Sequence, residues 1–456
     1  MRHVLPHTQA CDRYCTCARL KQLLARYKKR PRAIPVDFRK ETSRRIDRAR
    51  HYLHSYPAKL LAEIPNFFLS NTVFSRPGEL VLDPFCGTGT VLLEAARQRR
   101  KCVGADSNPL ARLIARVKLT TVHGLKVRSA IQKVRRLAPT ITPNALPDVV
   151  NIDYWYHPHV KRQLQQIATV INRMPASAVK DYLRVCFSQC ARDVSKADPR
   201  LSVPVVLRND QYPVHHPLAE HTKRRIAKLR RVNVLNKFCG IVEDNLRCVT
   251  EPIAGKMGAN LRLLSNAAEV STGLEPGSVQ LVITSPPYLG AQKYIRASSL
   301  SLGWLGLCRA DQLKALDRKS IGREHFPKNT HTVLPAVGIA AADRRIADTA
   351  RQNPLRAKIA NAYLTEMKGV IQELGKVIST RGYLVLIVGN NHLCGKPFPT
   401  EHYLRRIAES EGFVTRLRLV DTIKSRGLMT KRNKTANVIS REWVLVLQEC
   451  SRSRTR

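Results

Sequence analysis

Apolar runs of strand length punctuate this chain, separated by stretches with helical spacing. Leu80-Val81-Leu82, Cys102-Val103-Gly104-Ala105, Leu281-Val282-Ile283 and Tyr383-Leu384-Val385-Leu386-Ile387-Val388 are continuous rather than alternating, as strands covered on both faces require. Between them, Val160, Leu164, Ile167, Val170 and Ile171 recur at helical spacing within a run expected from His159 to Lys196. That stripe fits core or inter-helix packing. Asp198-Pro199-Arg200 should break the helix, and Val203 to Leu207 reads as a short strand. Ile359 to Ile378 predicts a long amphipathic helix, and His402 to Ser410 the next one. Val414 to Val420 and Trp443 to Gln448 read as two final strands forming a hairpin. Residues 308–355 look irregular and polar, with an apolar piece from Val333 to Ala342 that suits a packing hairpin. Strands alternating with helices predict an α/β fold with a mostly parallel sheet, and no repeat of solenoid or propeller period is present.

Two of the apolar runs end in chemistry. Glu79 to Ala96 reads as a strand, a turn through Asp83-Pro84-Phe85-Cys86-Gly87-Thr88-Gly89, then a helix starting at Thr90. Glycines there let backbone approach a ligand closely at a helix N-terminus. The next strand ends at Asp106, about twenty residues on, the spacing at which a doubly wound sheet offers a carboxylate to ribose hydroxyls. Asn108 and Pro109 have the character of an N-cap and first helical residue. The other run continues as Thr284-Ser285-Pro286-Pro287-Tyr288. Prolines fix φ and carry no N–H, so Ser285 Oγ and the Pro286 carbonyl are candidate acceptors for the two hydrogens of a planar amino group. Tyr288 offers a ring to stack on a nucleobase.

Together these segments resemble the S-adenosylmethionine-dependent amino-methyltransferases of DNA, in particular the cytosine-N4 branch. The resemblance implies that Asp83, Pro84, Phe85, Cys86, Gly87, Thr88, Gly89 and Thr90 hold the methionine part of the cofactor and Asp106 its ribose. It makes Ser285, Pro286, Pro287 and Tyr288 the catalytic loop. Asn108 joins the cofactor set, and Asn266 falls where relatives often carry an acid near the adenine. His54-Ser55-Tyr56-Pro57-Ala58-Lys59 resembles the segment that folds over the cofactor. Lys293, Tyr294 and Arg296, with Arg426, Lys431, Arg432 and Lys434 of a basic loop from Lys424 to Lys434, resemble parts of one bacterial subgroup and become candidate DNA contacts. The cofactor motif precedes the catalytic motif, a circularly permuted order relative to most cytosine-N4 enzymes. A serine at position 285 leans toward cytosine. A tRNA guanine-N2 methyltransferase is the alternative enzyme class, adenine N6 the alternative base, and a non-catalytic nucleic-acid binder the third reading.

Charge points to the same class of partner. Lys and Arg total 78 against 34 Asp and Glu, a formal net charge of +44. Such a field attracts polyanions with strongly salt-dependent affinity. Basic runs occur at Arg26 to Arg32, Arg44 to Arg50, Arg97 to Lys101 and Lys223 to Arg231. An acidic protein or a membrane surface is a further option for the N-terminal run. The expected partners are double-stranded DNA and a cognate restriction endonuclease. No run approaches the twenty or so apolar residues of a membrane span, and the N-terminus lacks the apolar core of a secretory signal. Scattered cysteines suit reduced thiols in a cytoplasm. Cys11, Cys15 and Cys17, with His3 and His7, lack paired Cys-x2-Cys halves, which favours free thiols over zinc. Tyr154-Trp155-Tyr156-His157 fits a base-stacking platform and a hydrophobic anchor equally.

The expected architecture is a three-layer Rossmann-like methyltransferase with a mostly parallel sheet, an antiparallel C-terminal hairpin and helical insertions. Residues 1–50 form a basic arm, with Lys21 to Arg50 part helix and part arm, 51–125 the first half of the cofactor domain, and 126–255 a mainly helical insertion. Residues 256–450 complete the domain and 451–456 are a basic tail.

Overall fold

The computed structural model describes residues 16–42, 49–57, 59–143, 146–213, 215–253, 261–267, 270–290, 293–326, 334–423 and 439–450. Ten strands are defined there: β1 (Ile34–Val36), β2 (Leu80–Asp83), β3 (Lys101–Ala105), β4 (Leu261–Leu264), β5 (Val279–Thr284), β6 (Ile378–Gly389), β7 (Asn391–Leu393), β8 (Lys396–Phe398), β9 (Phe413–Thr422) and β10 (Arg441–Glu449). Eight make one sheet in the order β1-β9-β10-β6-β5-β2-β3-β4, and β7 pairs with β8 as a separate small ribbon. From β6 through β5, β2 and β3 to β4 every pairing is parallel. β10 runs antiparallel to both β6 and β9, which is the expected hairpin.

Alternation along each strand sorts side chains between two apolar layers. Leu82, Val282, Leu384, Leu386 and Leu445 face helices Pro354–Val377 and Thr400–Ser410. Val81, Ile283, Val385, Ile387 and Val444 face helices Thr16–Lys29 and Thr90–Arg97. A third cluster holds the inserted helices Pro158–Asn172, Ala178–Asp193 and Val234–Thr250 against helix Pro109–Leu119. The Val160, Leu164, Ile167, Val170 and Ile171 stripe is buried in it, as its spacing predicts.

Several expectations need correction. Part of the segment read as a basic arm is built into the sheet. Helix Thr16–Lys29 buries Leu20, Leu23 and Tyr27, and β1 pairs in parallel with the outer side of β9. The run from His159 to Lys196 is two helices rather than one, Pro158–Asn172 and Ala178–Asp193. Pro175 lies between them, and Ser177 caps the second by accepting from the Lys180 amide; proline disfavours helix in the residue before it. Val203 to Leu207 is not a strand, only a single bridge from Ala197 to Val206. Residues 308–355 are not irregular throughout, since they contain helices Leu313–Arg318 and Ala340–Gln352. The second buries only Ala342, Ile346 and Thr349 on one narrow stripe, so its Arg and Asp residues disguise it as loop. Among residues 334–339 no hairpin forms; Val337 and Gly338 donate their amides to Asp343 instead.

Candidate active site

The carboxyl ends of β2 and β5 lie side by side, because β2 pairs in parallel with β5 through Val81 with Leu281 and Leu82 with Val282. The two chemical loops therefore leave the same edge of the sheet from adjacent strands. One bond joins them directly: Thr284 Oγ1 donates to Asp83 Oδ1 at 2.6 Å. The same oxygen accepts from the Phe85 amide at 3.1 Å, which bends the chain sharply after the strand. Burial, opposed by these two bonds and reinforced by Asp106, pushes the Asp83 carboxyl up to about 7.

The turn that follows is held open for a ligand. Gly87 and Gly89 have φ of 49° and 77°, the left-handed region that glycine enters without cost. A side chain at Gly87 would point into open space, whereas at Gly89 it would meet Ala115 Cβ at 3.0 Å. Helix Thr90–Arg97 starts directly after Gly89, so its first amides lack intrahelical partners and face the turn. Asp106 closes the other side. Its Oδ2 accepts from the Gly87 amide at 3.0 Å and its Oδ1 from the Asn108 amide at 2.7 Å. Each carboxylate oxygen keeps a second lone pair, so acceptors remain there for the hydroxyls of a ligand. Burial raises Asp106 to about 6, against the pull of both amides and Arg112.

Asn108 is the expected N-cap, accepting from the Leu110 amide at 3.0 Å. Its Nδ2 also donates to Tyr56 Oη and Ser298 Oγ, each at 3.0 Å. Tyr56 belongs to the segment expected to cover the cofactor, so that segment is pinned beside the Asp106 end of the site. His54 of the same segment, fully neutral with its pKa lowered to about 3 by burial, shares a 2.6 Å bond with Ser188. The insertion thus braces the cover from behind. Ala58 lies outside the described residues.

Ser285, Pro287 and Tyr288 are partly exposed and Pro286 is buried. The Tyr288 hydroxyl donates to Glu442 Oε1 at 3.0 Å. Glu442 stands opposite Gly389 in the β10–β6 register, so the antiparallel strand β10 delivers its acid to the carboxyl edge of the parallel strands. Burial, Glu442 and its hydrogen bond raise Tyr288, with Ser285 opposing; burial also raises Glu442. Asn391 Nδ2 donates to the Leu289 carbonyl at 2.7 Å and fastens the far end of the loop.

Other expected residues scatter more. Pro84, Phe85, Cys86, Thr88 and Thr90 all line the turn, with Cys86 and Thr88 buried. Asn266 follows the end of β4 and is half-buried, in the corner where the Asp106 amide meets the Leu264 carbonyl. Lys293 and Tyr294 open helix Tyr294–Trp304, half-buried. Tyr294 lies within electrostatic reach of Tyr56 and Tyr288, between the cover and the catalytic tip. Arg296 is exposed. Arg426, Lys431, Arg432 and Lys434 lie outside the described residues, as do Cys11 and Cys15. The described residues contain no group of three or more metal-ligating side chains, and no helix among them is long and apolar enough to cross a membrane.

The residues on this edge match a known family over its cofactor half. The model of a DNA methylase family covers residues 38–116. The Type II methyltransferase M.MvaI of Kocuria varians is 24% identical over 382 residues, 77% of this chain and 79% of that protein. By these matches the chain is similar to the S-adenosylmethionine-dependent amino-methyltransferases of DNA. M.BsoBI of Geobacillus stearothermophilus, also a Type II methyltransferase, is 19% identical over 74% of this chain and 73% of its own length. A putative DNA modification methylase of Thermus thermophilus, solved with S-adenosyl-L-methionine, overlaps 42% of the chain and 55% of its own at 16% identity and a TM-score of 0.22. The likeness brings the methyl donor S-adenosyl-L-methionine with it, and the open turn over Gly87 and the paired amides on Asp106 suit that molecule. Sequence reasoning missed Thr284 and Glu442 as site residues and had Tyr56 only as part of the covering segment. Thr284 had a signal, standing next to Ser285; Glu442 had none.

Proposed function

We propose that this chain methylates the exocyclic amine of a base flipped out of duplex DNA, with cytosine N4 as the target. The observation that carries the reading is the 2.6 Å bond between Thr284 and Asp83. It holds the catalytic tip and the cofactor turn at one corner of the sheet, the arrangement that transfer between two bound molecules needs. Bound S-adenosyl-L-methionine supplies the electrophilic methyl carbon. An exocyclic amine is conjugated with its ring and attacks poorly. Ser285 Oγ and the Pro286 carbonyl accept hydrogen bonds from its two N–H groups, steer the nitrogen toward tetrahedral geometry and orient it in line. The methyl–sulfur bond breaks as the methyl–nitrogen bond forms, S-adenosylhomocysteine leaves, and the amine's surplus proton passes to water. Tyr288, its hydroxyl anchored on Glu442, presents a fixed ring for stacking. Holding one base in this way offsets the few kcal/mol that unstacking costs.

Cytosine is favoured over adenine by the serine at position 285. Lys293, Tyr294, Arg296, Arg426, Lys431, Arg432 and Lys434 are proposed to clamp DNA around the extruded nucleotide. The similarity to two Type II methyltransferases supports a restriction–modification setting, with a cognate endonuclease as partner, in a bacterial cytoplasm. Labelled methyl should pass from S-adenosyl-L-methionine to duplex DNA and not to tRNA. Transfer to tRNA alone would replace this reading with the guanine-N2 one.

A further inference from the structure

Lys118 is 0% exposed near the end of helix Pro109–Leu119, and its Nζ donates to Thr88 Oγ1 at 3.0 Å. Thr88 is the residue between the two glycines of the cofactor turn. An ammonium has three donors, and Thr88 is the one acceptor the described residues give it. No carboxylate among them pairs with it. Arg50 spends its guanidinium on the carbonyls of Lys118, Thr120 and Glu251, closing the end of the helix.

The charged and titratable groups around this amine are known from each side. From the cover segment come Lys59, which stands over the Tyr52 ring and bonds the His54 carbonyl, and His54, which is neutral against Ser188. His51 also lies within electrostatic reach of the amine and shares a 2.8 Å bond with Glu94 of helix Thr90–Arg97, which is engaged further by Asn66 and Arg97. Burial, with Lys59 adding to it, drives the Lys118 pKa well below its usual value. Lysine is almost never fully buried without a partner, and an unpaired buried ammonium is costly. The fold has therefore placed a lysine amine with no counter-ion directly beneath a turn whose outer side is open. The unpaired amides at the start of helix Thr90–Arg97 add positive potential at the same spot.

We propose that Lys118 is a positioning residue for the α-carboxylate at the amino-acid end of the cofactor, acting through Thr88. By donating to Thr88 Oγ1 it turns the threonine hydroxyl proton outward as a donor, and it supplies the charge the carboxylate meets. The inference rests on the cofactor assignment made above and adds the residue that reads the amino-acid end. Because an arriving anion raises the amine's pKa, binding takes up a proton.

Calorimetry with S-adenosylhomocysteine and 5′-methylthioadenosine, which lacks the amino-acid end, tests it. Lys118→Met should weaken S-adenosylhomocysteine 10- to 100-fold, about 1.4–2.7 kcal/mol, and leave 5′-methylthioadenosine within about 3-fold. Thr88→Val should do the same, and the double variant should add little to either. Equal weakening of both nucleosides, or no weakening, would overturn the proposal. Titrations of the wild type in buffers of different ionisation enthalpy should show proton uptake with S-adenosylhomocysteine in excess of that with 5′-methylthioadenosine. No excess would contradict the proposal even where a variant fails to fold. Wild-type protein that binds neither nucleoside would instead refute the cofactor assignment itself.

Discussion

Asp83 does two jobs with one oxygen, and burial sets its unusual protonation in spite of them. Its Oδ1 receives Thr284 and the Phe85 amide, bonds that favour the charged form, yet burial outweighs them and the carboxyl rises to about 7. The folded protein keeps this proton to near neutrality, while the unfolded chain releases it near pH 3.9, the free value. The Asp83 contribution to stability is complete below the unfolded value and is lost as pH rises through the folded one. The difference in unfolding free energy between wild type and Asp83→Asn should accordingly shrink between about pH 4 and pH 8, measured by denaturant titration; a difference independent of pH would refute the burial. At Ser285 the expectation is kinetic. Ser285→Ala removes one acceptor that works only as the amine reacts, so kcat should fall about 10²–10³-fold with cofactor affinity unchanged. Loss of cofactor binding in that variant would place the serine elsewhere. Contiguous residues such as Asp83 to Thr90 and Ser285 to Tyr288 were legible in the sequence, because a turn and its chemistry share one stretch of chain. Glu442 and Lys118 were not. Their partners lie across the fold, and nothing local distinguishes a buried ion from a solvated one.

At the scale of elements, legibility followed burial. Strands β2, β3, β5 and β6 are covered on both faces and show as unbroken apolar runs, and β9 with β10 gave a readable hairpin. The short edge strands β1 and β4 have three and four residues, too few to establish a period of two. The small β7–β8 ribbon is equally silent. The core positions carry most of the sheet's stability, and Leu386 is a fair sample. It is fully buried between β5 and β10 neighbours on the face of helix Pro354–Val377. Leu386→Ala should cost about 2–5 kcal/mol, read as a shift in denaturant midpoint. A cost below about 1 kcal/mol would mean that this layer is loosely packed.

Taken whole, the molecule pairs one well-defined catalytic edge with a large helical insertion and a net charge of +44. Exposed Lys223, Arg224 and Lys228 on helix Pro217–Leu229 carry part of that charge. That helix is tethered through Arg225 to the Asp193 carbonyl, at the end of the helix that braces the cofactor cover through Ser188. The basic face is thus attached to the active edge by packed elements. Non-specific DNA affinity should fall linearly with log salt, with a slope of about −0.9 per phosphate neutralised, and Lys223→Gln with Lys228→Gln should flatten it. An unchanged slope would remove this helix from the DNA footprint. The base remains the decisive point, and it is read most directly by nucleoside mass spectrometry of duplex DNA methylated by the purified protein. The account predicts N4-methylcytosine, absent with Ser285→Ala. N6-methyladenine in its place, or DNA left unmodified by active cofactor-bound protein, would contradict it.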